Sequence, residues 1–453
     1  MKHWTFKRDG IAVLVALTLL AFLINTVAMS PVSASLNRAD ENPNQVLEWN
    51  QVFIDTLIAT NTANSSSQRL GAIVHTAIFD AYNGIEQRYT PVFVDYRGLP
   101  AELAPPPGAS RRAAVIQAAY ETLMSLFPSR QAQLETKYWA SLAALSDDGE
   151  DGGESRTNGV RWGHDVAQAV LAWRAQDGLS TPNAPFFGGD ALGQWRPTPP
   201  NFTAMSAQAL ADTAMFVLES NEQFRPPFPR GLTTQTYADD LNAVKTLGRK
   251  IGSTRVGDQG ALASFWEGNA STHWNQAANQ MARASALSMS RSNRLLAALN
   301  IAMADTAFTT WSAKRFYGKD PTAVTWRPVT SIPLANGDTN PNTLADPDWL
   351  PLVNTPSHPE YPAGHPSQNG AAATILLTTF DDQQTFTLTT GSSAVTYFSI
   401  SQARVDGNTA RVWGGMHYPS TVAISDAEGA AIADYVNRQA MQPIHSRSGT
   451  PNN

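Results

Sequence analysis

SNRLLAALNIAMADTAFTTWSAKRF, Ser292 to Phe316, is the longest helical stretch in the sequence. It carries an apolar face and closes on two cations, Lys314 and Arg315. The text before it has the same period. Val46, Trp49, Phe53 and Leu57 recur at helical spacing, and after a Ser-rich turn at Ser65–Ser67, Leu70, Val74, Ala77 and Ala81 share one face. A Pro-rich loop (Pro105–Pro107) leads to a helix at Arg111–Leu126. Pro128-Ser129 then starts Gln131–Leu145, and an acidic Gly-rich loop at Asp147–Glu154 precedes Val160–Gln176. These helices amount to one bundle. From Gly178 to Asn201 the text turns to Gly, Pro and aromatics, which reads as linker or clamp rather than core. A loop at Gln223–Gly231 enters a helix at Thr236–Leu247. Past Phe316 a Pro-, Asp- and Asn-rich loop reaches His365, and helices are expected at Ser367–Phe380, Val395–Val405 and Ala423–Ala440. There is no internal repeat on the order of 20–50 residues and no sustained strand alternation. The expected fold is mainly α: two fused helical bundles with long Pro/Gly-rich loops, one over 35–177 and one over 178–443, with a tail at 444–453.

Composition limits what such a fold can do. The chain has 453 residues, 42% of them hydrophobic and 15% charged, enough to bury one large core or two fused ones. The net charge of −6, with no long basic run, gives no footprint for nucleic acid or an anionic membrane, so any anion site must be local. No cysteine is present, which excludes disulfides, thiolate nucleophiles and Cys-ligated zinc or iron–sulfur centres. Lys2, Lys7 and Arg8 precede an apolar run from Ile11 to Met29, and the small residues Val32-Ser33-Ala34 follow. This pattern reads as a secretory signal cleaved after Ala34, with an uncleaved anchor as the alternative. Either one places the protein outside the cytoplasm, periplasmic or extracellular. After Ala34 no uninterrupted apolar run is long enough to span a bilayer, so no integral membrane region is expected there. The oligomeric state is not legible.

Three separated segments hold the unusual polar content: Lys314–Pro328, His358–His365 and Arg411–His417. In the second, HPEYPAGH is followed by Pro366 and then by Ser367 and Gln368 of an Ala-rich helix. Gly364 and His365 therefore sit at a helix N-terminus, where free N–H groups and the positive dipole end favour an anion. In the third, Gly414-Gly415 separates a guanidinium from an imidazole and lets the backbone approach a bound group. A tetrahedral oxyanion needs bidentate donors, a point charge and backbone N–H groups. Arg327, Arg411, Lys314 and Gly364 can supply them together. Two histidines, His365 and His417, are then free for proton transfer, nucleophilic attack or metal ligation. His358, Glu360 and His365 could be read as a zinc site, but two prolines intervene and no third ligand falls at helical spacing. His75, His164 and His273 read as packing or surface residues.

These segments resemble the three-part signature of the vanadium-dependent haloperoxidases and the related phosphatidic-acid-phosphatase superfamily. That signature is Lys, six residues and Arg-Pro, then Pro-Ser-Gly-His, then Ser-Arg, five residues and His. Arg327-Pro328, Pro362-Ala363-Gly364-His365, and Arg411 through His417 match it in order. VLEWN at Val46–Asn50, VHTA at Val74–Ala77 and QWRPTPP at Gln194–Pro200 are also similar to bacterial haloperoxidase-like proteins, so the resemblance covers roughly 45–440. It implies that vanadate, or phosphate in its place, binds in the C-terminal bundle. His417 would be the metal ligand, His365 the acid–base, and Lys314, Arg327, Ala363, Gly364 and Arg411 would surround the oxyanion. Lys314 would also polarise bound peroxide for attack by halide. The partners implied are hydrogen peroxide, a halide and an organic acceptor that becomes halogenated.

The chain departs from the signature in four places. Twelve residues separate Lys314 from Arg327, which leaves Gly318–Thr325 as an insertion and Lys319 as a rival lysine. The signature serine of the second motif is Ala363, and that of the third is Ala410. Thr421 stands where relatives often carry an Asp, four places after the ligand His, which puts that support for His417 in doubt. The same residues would also serve an acid phosphatase working through a phosphohistidine at His417, or a non-catalytic oxyanion-binding protein. Soluble bacterial phosphatases of the superfamily are much shorter, which favours the haloperoxidase reading.

Overall fold

The computed structural model describes residues 44–100, 103–147 and 149–444. The leader expected over 1–34 and nearly all of the expected tail lie outside them. Thirteen α-helices are described. The first five are α1 (Gln45–Ala59), α2 (Asn64–Glu86), α3 (Arg111–Leu126), α4 (Gln131–Ala143) and α5 (Gly153–Ala175). Next come α6 (Gln235–Leu247), α7 (Gln259–Phe265), α8 (Ala270–Ala284), α9 (Met289–Lys319) and α10 (Pro328–Leu334). The last three are α11 (Gly364–Leu377), α12 (Ile400–Trp413) and α13 (Pro419–Gln439). A single hairpin, β1 (Phe386–Thr390) and β2 (Ser393–Tyr397), pairs antiparallel with Phe386 opposite Tyr397. Several starts are fixed by side-chain caps. Asn44, Ser110, Thr234, Ser288 and Ser399 each accept a backbone N–H three residues on, which satisfies a donor that the first turn cannot.

The mainly helical reading holds, with local corrections. Ser65–Ser67 lies inside the first turn of α2, where Ser67 hydrogen-bonds the side chains of Asn269 and Ser271. Its hydroxyl serves tertiary contacts as well as the Asn64 carbonyl of the same helical turn. The helix expected at Val395–Val405 is β2 followed by α12. Buried Phe386 and Leu388 alternate with Thr387 and Thr389 along β1, Gly391 turns the hairpin with φ +57°, and Gln276 and Gln280 of α8 bond the backbone N–H groups of Thr389 and Thr387. α7, α8 and α10 were not anticipated. α8 buries Thr272, His273, Asn275 and Gln276, so its buried face does not read as apolar.

α9 is buried on nearly every side, the condition of a central helix. It packs against α2 on one flank and against α11 and α13 on others. One apolar core runs from Trp49, Phe79 and Ile116 through Leu299 to Leu376 and Val436. Midway along α9 the Asp305 carboxylate accepts N–H bonds from Phe216, Val217 and Leu218 at 2.7, 2.9 and 3.1 Å, tying a non-helical segment to the helix. Asp80 does the same from α2 for Val92, Phe93 and Val94. A second apolar cluster, containing Tyr237, Trp326, Trp349 and Tyr418, lies beneath the loop that carries Arg327.

The segment 178–201 does clamp, but it also enters the core through Trp195, which is fully buried. The Gly193 carbonyl accepts from the N–H groups of Thr325 and Trp326, and Trp195 N–H donates to the Thr325 hydroxyl. The Pro-rich loop at 226–229 packs down as well, since the Pro226 and Pro227 carbonyls accept from the hydroxyls of Tyr317 and Tyr361. Among the described residues no helix is long and apolar enough to cross a membrane.

Candidate oxyanion site

The three polar segments converge behind the C-terminal end of α9. Lys314 is fully buried, and its Nζ donates to the carbonyls of Pro359 (2.6 Å) and Glu360 (3.2 Å). The helix does not end there. It continues for more than one turn to Lys319, and the turn at Asp320–Ala323 returns the chain, so the inserted residues are absorbed as helix and turn. Lys319 is exposed at that end, away from the cluster around Lys314. Gly318 allows the close packing here, because a Cβ would meet Phe186 and Pro359 at 3.0 Å.

Arg327 precedes α10 in extended conformation and is fully buried. Its position is set from two sides. Gly193 holds Thr325 and Trp326, and the Thr325 carbonyl accepts the N–H of Glu360 at 2.8 Å, which zips the first segment to the second. The guanidinium Nε donates to the His358 carbonyl (2.9 Å). One terminal nitrogen reaches the Met416 carbonyl and His417 Nε2, each at 2.9 Å, and the other reaches His358 Nδ1 at 2.8 Å.

Arg411 lies in the last turn of α12. It donates to the Trp266 carbonyl (3.1 Å) and to the Met416 sulfur (3.0 Å), while its buried Nε has no hydrogen-bond partner. Past it the chain folds back, so the N–H groups of Met416 and His417 both reach the Arg411 carbonyl. Gly415 makes this possible with φ +79°, against Gly248, whose carbonyl would lie 2.7 Å from any Cβ. His417 is thereby presented with Nε2 toward Arg327 and Nδ1 2.9 Å from Glu360 Oε1.

α11 starts at Gly364. Ala363 before it offers no side-chain cap, and its own N–H goes to Ser425 Oγ at 2.7 Å. The N–H groups of Gly364 and His365 have no partner within the helix, which is what an anion can use. Gly364 is pressed against Trp311, whose ring would lie 3.3 Å from a Cβ. His365 is half-buried, with Nε2 3.3 Å from the Gly268 carbonyl.

Three cationic side chains thus share one buried region. Burial, and then the Arg327 charge, hold the Lys314 ammonium well below its usual value, against the pull of Glu360 and Glu428. Burial pushes Arg327 down to about 9 despite Glu360, and Arg411 down to about 10 despite Glu267. His358, His365 and His417 are all held far below the ordinary imidazole range, first by burial and then by the neighbouring cations. The same burial raises the acids among them, Glu360 to about 7 and Glu428 to about 8. One lysine and two arginines in a single buried region, with an unpartnered guanidinium N–H on Arg411 and the N-terminus of α11 beside them, fit a multiply charged tetrahedral oxyanion such as vanadate or phosphate.

Every candidate from the sequence except Lys319 therefore falls in or beside one cluster: Lys314, Arg327, Ala363, Gly364, His365, Arg411 and His417. Sequence reasoning missed His358 and Glu360 as partners of Arg327 and His417, having weighed them only as zinc ligands. Among the described residues no group of three or more His, Asp or Glu could hold a metal ion. The signal was present as a Glu between prolines inside the signature segment. The support for His417 that Thr421 put in doubt comes from Glu360, whose Oε1 is 2.9 Å from His417 Nδ1 and whose Oε2 accepts the Thr421 hydroxyl at 3.0 Å. The carbonyls of Trp266 and Gly268 could not have been found, because backbone acceptors leave no residue signature.

Residues 294–446 match the family described as the VCPO second helical-bundle domain. No protein with a curated description matches the chain. Among solved structures, a bacterial vanadium-dependent iodoperoxidase shares the fold at TM-score 0.74 and 21% identity, over 90% of this chain and 98% of that one. Holo- and apo-type structures of a bacterial vanadium-dependent chloroperoxidase give TM-scores of 0.62 and 0.65, each at 18% identity over 83% of this chain and 92% of theirs.

Proposed function

We propose that the protein is a vanadate-dependent haloperoxidase, which oxidises halide with hydrogen peroxide to a hypohalous-acid equivalent that halogenates an organic acceptor. The observation that carries this is the buried cluster of Lys314, Arg327 and Arg411 around His417, with the Arg411 Nε unpartnered. The shared fold with vanadium-dependent peroxidases supports it. Vanadate, when bound, supplies a Lewis acid that activates peroxide without a change of oxidation state.

The chain's own residues would then divide the work. Lys314, Arg327, Arg411 and the Gly364 N–H hold the oxyanion's oxygens and compensate their charge. His417 presents Nε2 as the ligand. His365 points Nε2 at the Gly268 carbonyl, which leaves Nδ1 as the atom that takes and returns a proton beside the site. The half-buried position of His365, against fully buried Lys314 and Arg327, puts the proton-transfer group on the solvent side.

The test is turnover of the purified, metal-stripped protein with and without orthovanadate, in peroxide plus each halide and separately on a phosphomonoester. Vanadate-dependent halide oxidation is the expected result. Phosphomonoester hydrolysis inhibited by vanadate would move the same residues to a phosphatase, and no turnover in either assay would leave an oxyanion-binding protein.

A further inference from the structure

Glu360 is 1% exposed and lies between the two prolines that precede α11, on a different segment from His417. Its Oε1 is 2.9 Å from His417 Nδ1 and accepts the N–H of Tyr418 at 3.1 Å, while Oε2 accepts the Thr421 hydroxyl at 3.0 Å. On the other side of the same imidazole, Nε2 meets a terminal nitrogen of Arg327 at 2.9 Å. A guanidinium only donates, so Nε2 must be the acceptor. A neutral imidazole that accepts at Nε2 carries its proton on Nδ1, where only Glu360 receives it.

We propose that Glu360 is the positioning residue of the oxyanion site: it fixes the Nδ1–H tautomer and ring orientation of His417, so that the Nε2 lone pair faces the oxyanion. The proposal deepens the reading of His417 as the ligand and rests on it. Thr421 and the Tyr418 N–H hold the carboxylate from the helix that follows His417, so the support comes from position 360, with Thr421 as its partner. A carboxylate that takes the second ring N–H of a ligating His raises its basicity and restricts its rotation, and losing it costs roughly 10–100-fold in metal affinity.

The test has two readouts on the full chain. One is the tautomer of His417 by 15N NMR of the histidine-labelled, ligand-free protein, and the other is orthovanadate affinity by equilibrium dialysis. Wild type should show Nδ1–H. Glu360→Met, of similar volume, should lose the fixed tautomer and bind orthovanadate about 10–100-fold more weakly. Glu360→Gln, which keeps an acceptor oxygen, should restore the tautomer and recover most of the affinity, whereas a residue needed only for packing would not separate the two variants. A wild-type Nε2–H tautomer overturns the proposal, whether or not the variants fold, and so does a Glu360→Met protein with wild-type tautomer and affinity. If wild type shows Nδ1–H but binds no orthovanadate, the reading of the site as a vanadate centre fails, and Glu360 positions His417 for some other task.

Discussion

Arg327 and His417 meet at 2.9 Å, guanidinium nitrogen to imidazole Nε2. The nitrogen that would face an oxyanion is covered by a cation's N–H until the anion arrives and offers that N–H a charged oxygen instead. Charged acceptors bind such donors more strongly. Oxyanion and fold stability should therefore be linked. Phosphate or orthovanadate at about a hundred times its dissociation constant should stabilise the protein by about 2.7 kcal/mol. Thermal melts in each anion, against sodium chloride of equal ionic strength, check this. Arg327→Gln should remove most of the shift, and an equal shift in chloride would show only general screening.

The two lysines separate cleanly. Lys314→Met should weaken orthovanadate binding on the order of 10–100-fold, the worth of a hydrogen bond to a charged group. Its ligand-free melting temperature should hold or rise, because the buried ammonium carries a desolvation cost. Lys319→Gln should stay within about twofold of wild type, since one hydrogen bond the less would weaken binding by more than that. Equilibrium dialysis on both decides it.

Ala363→Ser should strengthen oxyanion binding. A serine before Gly364 would ordinarily cap its helix, but Pro366, three residues on, has no N–H to offer. The hydroxyl therefore has one fewer local partner and is freer to turn to the anion. A gain of roughly 3–10-fold in affinity with little change in ligand-free stability is the expected outcome. Weaker binding would mean that the extra oxygen crowds the site.

Asp305 holds three backbone N–H groups of the 216–218 segment against α9. Asp305→Ala orphans all three and should cost about 3 kcal/mol or more, measured by chemical denaturation, with faster amide exchange confined first to that segment. Asp305→Asn, which retains one acceptor oxygen, should cost less. Equal costs would place the effect in packing rather than in the carboxylate.

Acid should weaken the fold through buried histidines outside the site. Burial holds His75 down to about 3 and His273 to about 4, against 6.5 for a free imidazole. Between those limits the unfolded chain binds protons that the folded chain refuses. Stability is therefore fully present above about pH 6.5 and falls as pH drops toward 3, by up to about 1.4 kcal/mol per pH unit for each group. His75→Gln should melt with a shallower dependence between pH 7 and 5. A variant as steep as wild type would assign the slope elsewhere.

Sequence periodicity was legible where one face is apolar and the other is not. α3 matches the expected bounds, and the centres of α1, α2, α6, α11 and α13 fall where expected. It failed where tertiary contacts decide: α8 buries amides, the hairpin is held by two glutamines from α8, and α9 runs on past Lys314 and Arg315 to Lys319. In the site, charge and glycine placement were readable, because cations and flexible turns have few other reasons to cluster in order. Glu360 was not, because its partners sit 57 to 61 residues away and only the folded chain shows that His417 and Thr421 point at it.

The residues that serve the site reach well outside 294–446. Gly193 anchors the approach to Arg327, the Trp266 carbonyl takes a guanidinium N–H of Arg411, and the Gly268 carbonyl faces His365. The matched segment and the physical unit are therefore different lengths. A clone cut at Arg294 would lose the first turn of α9 and the cover that α2 gives it, and would express a sticky fragment with a wall missing from its pocket. Shuffling, fusion or minimisation of this scaffold has to treat everything from α1 to α13 as one part.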